Sequence, residues 1–172
     1  MTETARSDSP ATDSASTAAA EADVLALENQ VCFALVVASR SVLSLYRPVL
    51  EPLGLTHPQY LVMLALWSED GRSAGNLAAT LALEPATLTP LLKRLEAAGL
   101  VTRRRSSSDE RVLLIELTET GRALRGEAEL IPQKIVAQLG MAMDELESLR
   151  SSLHAVAAAA AAAPASASAR PA

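Results

Sequence analysis

The sequence predicts a mostly α-helical domain with one small β-ribbon, and three observations carry that expectation. Aromatic residues are only 2% of the 172 positions (Phe33, Tyr46, Tyr60 and Trp67), so the core must be Leu, Val and Ala, which suits closely packed helices. Apolar residues recur at helical spacing through most of the chain, as Leu88, Leu91, Leu92 and Leu95 do. The interruption comes at residues 100–105 and 112–117, which alternate like paired strands around Ser106-Ser107-Ser108-Asp109-Glu110, a turn-forming run.

In chain order, residues 1–22 are rich in Ser, Thr, Ala and acid and lack the basic start and apolar core of a signal peptide. They read as a disordered tail. Residues 23–50 are apolar nearly all round, and a helix without a polar stripe must be covered on more than one side. Gly54 is placed to end that helix, Thr56 to cap the next, and Pro58 suits its first turn, with the second helix running to Trp67 or Ser68. Trp67 reads as a core residue.

Ser73 can cap a short third helix, Ala74-Gly75-Asn76-Leu77-Ala78-Ala79-Thr80-Leu81, and a fourth follows with its Leu stripe. An early start for that fourth helix, near Glu84, puts Pro90 in its interior and predicts a mild kink. Gly99 ends it, the two strands follow, and Thr118 can cap a fifth helix extending to about Gln138. Residues 143–156 supply a sixth, with Leu146, Leu149 and Leu153 in register, and residues 157–172 are an Ala-rich low-complexity tail, helical at first. Six helices with a two-stranded wing after the fourth make a winged helix-turn-helix, a shape suited to reading DNA.

The formal net charge of −5 does not advertise a nucleic-acid binder, but distribution matters more than the sum. Arg103, Arg104, Arg105 and Arg111 cluster near Lys93 and Arg94, giving a local basic face. One cysteine, Cys32, forbids an intramolecular disulfide, and no Cys, His or acidic residues stand at metal-ligand spacing, so neither a metal nor a cofactor is expected. Arg40, Arg47, Glu51 and Pro52 interrupt the most apolar stretch, so no bilayer-spanning run is expected and the protein is read as cytoplasmic.

The element order together with Asp109-Glu110-Arg111 through Leu117-Thr118-Glu119-Thr120-Gly121 resembles the MarR family of dimeric transcription regulators over about residues 28–156. Within it, L-E-N-Q-V-C-F-A-L, Y-R-P-V-L, L-T-H-P-Q-Y-L-V-M-L and T-L-T-P-L-L-K-R-L-E-A-A-G-L-V-T-R-R-R resemble the organic hydroperoxide resistance regulators of the one-cysteine type.

That resemblance implies a homodimer, joined through residues 23–52 and 118–156, whose DNA-binding part is residues 56–117 and whose reduced form represses from a palindromic operator. It assigns the peroxide-sensing thiol to Cys32. It places a thiol-binding tyrosine at Tyr46 and a second donor at the position of His57, where relatives carry tyrosine; a third such tyrosine is Val36 here. On the DNA side it implies Thr87 and Thr89 near bases, Lys93 and Arg94 near the backbone, Arg111 in the minor groove, Asp109 bracing the wing by an ion pair, and Arg103, Arg104 and Arg105 at phosphates. Glu84-Pro85-Ala86-Thr87 stands where relatives have D-S-G-T, so base preference is expected to differ.

Helix geometry points to a partner subunit independently. Cys32 and Tyr46 are fourteen residues apart, so one straight helix separates them by about 21 Å, and they meet only between antiparallel copies. With no second cysteine, resolution of an oxidised thiol needs an external low-molecular-weight or protein thiol. Two other classes fit parts of the sequence. A repressor responding to a phenolic ligand in the dimer cleft would not need Cys32, and a thiol peroxidase would need a recycling route that the chain lacks.

Overall fold

The computed structural model describes residues 25–107 and 109–163; the expected N-terminal tail and the end of the Ala-rich tail lie outside them. The chain divides into two units, residues 1–38 and 39–172. In the first, a 3-10 turn at Leu27–Asn29 precedes α1 (Val31–Leu50), which continues into the second unit. The first helix therefore starts later than expected, because Gln30 takes an extended conformation after the turn.

In the second unit come a 3-10 turn (Glu51–Leu53), α2 (His57–Ser68), β1 (Arg72–Ser73), α3 (Ala74–Thr80), α4 (Pro85–Ala97), β2 (Val101–Arg105), β3 (Leu113–Leu117), α5 (Glu119–Ala128), α6 (Ile131–Leu139) and α7 (Met143–Ala162). The architecture is a winged helix-turn-helix. Its core is aliphatic: Leu50, Met63, Leu66, Leu77, Leu88, Leu95 and Ile115 are almost completely buried, with Tyr60 among them. Each such side chain contributes about 1.5–3 kcal/mol on burial.

Local chemistry sets the helix starts. The Gln59 side-chain oxygen accepts from the Thr56 backbone N–H at 2.9 Å and from its hydroxyl at 2.8 Å, closing the start of α2. Ser73 Oγ accepts from Asn76 N–H at the head of α3. Thr118 Oγ1 accepts from Gly121 N–H at the head of α5 and donates to Gly99 O at 2.6 Å. Gly54 and Gly99, both left-handed, stand where α1 with its 3-10 extension and then α4 end, as their lack of Cβ permits.

The structure departs from expectation at three further places. The wing has a third strand, since β1 pairs antiparallel with β3 (Arg72 opposite Ile115), in the sheet order β1-β3-β2. The fifth helix is broken at Glu129–Leu130 into α5 and α6, because Pro132 lacks the N–H that a continuous helix needs there and fits the first turn of a new one. Val31–Leu53, 23 residues long with mean hydropathy 1.3, is long and apolar enough to cross a bilayer by length and composition. Arg40 and Arg47 do not lower that average enough to exclude such a run by length and composition, which corrects the expectation that they would. Pro90 lies inside α4, as the early start required.

Candidate functional site

The second helix of the helix-turn-helix is α4. Leu88, Leu91, Leu92 and Leu95 are buried, which leaves Thr87, Thr89, Lys93 and Arg94 exposed on its outer side. Thr89 directs its hydroxyl back to Pro85 O at 2.8 Å, next to the carbonyl of Ala86 that Pro90 cannot serve. The turn before α4 is tight: Ala82 adopts a left-handed φ of 51° and Leu83 N–H returns to Ala78 O.

The three consecutive arginines of β2 do different things, and strand alternation explains why. Val101 and Arg103 share the face towards the core, so Arg103 lies against α4 and its Nε donates to Glu96 Oε2 at 2.7 Å, its Nη2 reaching the same oxygen. That hydrogen bond holds the Glu96 carboxyl below the usual range. Arg104 turns to the opposite face, where Thr102 pairs with Glu116 across the ribbon, and forms a two-bond pair with Glu116 diagonally. Arg105 Nη1 donates to Glu110 O at 2.7 Å.

At the wing tip, Asp109 accepts from the Arg111 backbone N–H at 2.9 Å, and its carbonyl accepts from Val112 N–H. Asp109 braces the turn through the backbone; among the described residues it forms no ion pair, because its carboxylate folds back onto its own loop. The Arg111 side chain is exposed.

The base of the wing is held by Asp70 and Arg122, which sequence reasoning had not picked out, together with Gly121 of the family motif and Trp67. Asp70 Oδ1 accepts from Gly71 N–H and Leu117 N–H, both at 2.8 Å, while Oδ2 pairs with Arg122 at 2.7 Å. Burial opposes ionisation of Asp70, but these partners outweigh it and the carboxyl titrates below its ordinary range. Gly121 is packed against the Leu100 backbone so closely that a Cβ there would lie 2.0 Å from Leu100 O. Gly121 O accepts from Trp67 Nε1 at 2.9 Å.

The residues considered for redox sensing fall in both units. Cys32, in the first turn of α1, is exposed. Tyr46 and His57, within the second unit, are brought together: their rings meet edge to face, centroids 4.8 Å apart. Burial raises the Tyr46 phenol and lowers the His57 imidazole, so at neutral pH both are uncharged and each carries a hydrogen to donate. A recess of about 500 Å³ lined by Leu43, Arg47, Glu51, Thr56 and His57 opens beside the His57 ring.

Residues 44–127 match the family described as transcriptional regulator SarA/Rot. The organic hydroperoxide resistance transcriptional regulator of Bacillus subtilis (strain 168) is 42% identical over 132 residues, 77% of this chain and 90% of that protein. A MarR-family regulator from Rhodococcus sp. RHA1 superposes with a TM-score of 0.69 at 29% identity, over 77% of this chain and 96% of that one. This chain belongs to the MarR family of transcriptional regulators. Reduced AbfR of Staphylococcus epidermidis, solved bound to DNA, is similar to this MarR-family chain at 36% identity and a TM-score of 0.63, over 76% of this chain and 90% of that one. The wing, the exposed face of α4 and the single cysteine of this MarR-family chain thus sit on a fold shared with a DNA-bound regulator.

Proposed function

We propose that the protein is a homodimeric, cytoplasmic DNA-binding repressor that senses organic hydroperoxides through Cys32 and then releases a palindromic operator, acting as a regulator and not as a catalyst. The observation that carries this reading is the edge-to-face Tyr46–His57 pair, two uncharged donors side by side in a relative of a hydroperoxide regulator, in a chain with one cysteine. Fourteen residues of helix exceed side-chain reach, so the pair serves the Cys32 of the partner subunit.

The chemistry follows from the donors. The Cys32 thiolate attacks the terminal peroxide oxygen; an S–O bond forms, the O–O bond breaks, and the alkoxide leaves with a proton as alcohol. Cys32 becomes a sulfenic acid, and an external small or protein thiol condenses with it to a mixed disulfide and water. A second thiol restores Cys32 by exchange. Either product places polar bulk where a thiolate had been held.

On DNA, α4 enters the major groove with Thr87 and Thr89 at base edges and Lys93 and Arg94 at phosphates, while Arg111 reaches the adjacent minor groove. Arg105 flanks the wing tip at the phosphates; Arg103 and Arg104 hold the wing's shape through Glu96 and Glu116. The exposed Val31, Phe33, Val36 and Val37 of α1, and Leu149, Leu153 and Val156 of α7, supply the apolar surface that a dimer covers. The test is selection of bound sequences from a random duplex pool by the reduced protein, followed by one equivalent of cumene hydroperoxide. Enrichment of an inverted repeat and its release with a mass gain of one oxygen on Cys32 support the reading; no enrichment, or release without modification of Cys32, contradicts it.

A further inference from the structure

Trp67 occupies a place that neither the DNA contacts nor the thiol chemistry uses. It is the only tryptophan of the chain and sits at the end of α2. On one side lies a run of rings: His57 against Tyr46 at 4.8 Å, Tyr46 against Tyr60 at 6.1 Å, and Tyr60 against Trp67 at 6.3 Å, the last edge to face. On the other side, Trp67 Nε1 donates to Gly121 O. Gly121 touches the Leu100 backbone with no room for a Cβ, and its N–H is held by Thr118, whose hydroxyl reaches Gly99 O. Gly99 and Leu100 are the joint at which α4 ends and the wing begins.

Each contact in this series is direct, and its two ends are the donor pair and the joint that fixes the wing relative to α4. Two of the three ring contacts are edge to face and the third, Tyr46 with Tyr60, is tilted; such contacts are directional, and Tyr60 at the middle of the series is buried. A single N–H to carbonyl bond, 54 residues apart in sequence, bridges the ring series and the joint.

We infer that Trp67 is a positioning residue that couples the Tyr46–His57 pair to the α4–wing joint, through its ring contact with Tyr60 and its hydrogen bond to Gly121. This rests on the function proposed above. Oxidation that displaces Tyr46 shifts Tyr60 and Trp67, and the Trp67–Gly121 bond draws the joint with them. Trp67→Phe keeps a ring and removes the N–H, so it breaks the series at one atom.

The experiment uses the full-length wild type, Trp67→Phe and Cys32→Ser, a duplex selected by the reduced wild type, and cumene hydroperoxide, reading DNA affinity and the intact mass together. The wild type is expected to lose affinity by roughly tenfold or more on oxidation, within the usual range of coupling between sites. Trp67→Phe is expected to bind DNA when reduced and to oxidise at Cys32 at the wild-type rate, yet to keep its affinity. Release of DNA by oxidised Trp67→Phe to the wild-type extent overturns the inference alone. So does failure of reduced, folded Trp67→Phe to bind, which makes Trp67 a support for the reading surface itself. A wild type that holds its DNA when oxidised overturns the sensing function and the coupling with it. Should Trp67→Phe not fold, wild-type tryptophan emission decides: a shift on oxidation that is absent in Cys32→Ser supports the coupling, and an unchanged spectrum overturns it.

Discussion

The rings of His57 and Tyr46 meet edge to face, centroids 4.8 Å apart and planes inclined at 70°. Burial lowers the imidazole from its ordinary value of about 6.5, so as pH falls the unfolded chain takes up a proton there before the folded chain does. Stability linked to neutral His57 is complete above about pH 6.5 and is lost as pH falls below that towards the folded value. Thermal melting from pH 7.5 to 5.5 should show a steeper decline for wild type than for His57→Gln; equal slopes would remove His57 from the account. Tyr46→Phe, which deletes one donor, is expected to slow Cys32 oxidation by on the order of tenfold, the effect of losing one hydrogen bond to a charged group. Peroxide consumption under single-turnover conditions measures it.

Gly121→Ala puts a methyl group 2.0 Å from Leu100 O, a backbone atom that cannot rotate away. Relief requires α5 to move from the wing base, so the variant should lose roughly 2–4 kcal/mol in urea unfolding, an overpacking cost at the upper end of the usual range. Gly126→Ala, where nothing lies within 4 Å of the added Cβ, is the control. Its helical position should make it neutral or slightly stabilising.

Arg103 and Arg111 are expected to separate in salt dependence. Arg103 is committed to Glu96 and fixes α4 against β2, whereas Arg111 is exposed at the wing tip. Arg103→Ala should weaken DNA binding while leaving the slope of log Kobs against log salt unchanged, and Arg111→Ala should lower that slope by about one. Titrations at four salt concentrations decide it, and a slope change for Arg103→Ala would return that arginine to the phosphates. Oxidation of Cys32 should proceed unchanged in both.

Leu149 and Leu153 lie exposed one turn apart on α7, and an isologous interface counts each twice. The double variant Leu149→Glu/Leu153→Glu should sediment as a monomer where the wild type is a dimer, since each buried leucine contributes about 1.5–3 kcal/mol. A variant that stays dimeric would move the interface away from this face.

What could be read in advance is what short-range chemistry dictates. Ser73 and Thr118 each mark a helix start by a side-chain oxygen that accepts from a backbone N–H three residues on, at Thr56 the Gln59 side chain accepts from the backbone N–H of the cap, and Gly54 and Gly99 mark helix ends by left-handed backbone. The same reading missed the break before Pro132, although proline at a first helical turn is a local signal. Two residues cannot display a period, so β1 had no signature. Strand alternation already placed Arg103 on the face of Val101, and following it would have turned that arginine towards α4. Trp67–Gly121 and Asp70–Leu117, 54 and 47 residues apart, depend on the finished fold and leave no pattern in composition or spacing.

In the proposed mechanism one sulfur atom, that of Cys32, controls DNA affinity. The most direct measurement of that control is affinity for the selected duplex before and after one equivalent of cumene hydroperoxide, with dithiothreitol then added, for wild type and Cys32→Ser side by side. Release by the wild type, recovery with thiol, and an unresponsive Cys32→Ser protein that still binds DNA are the predicted result. Equal release by both proteins, or by neither, would contradict it.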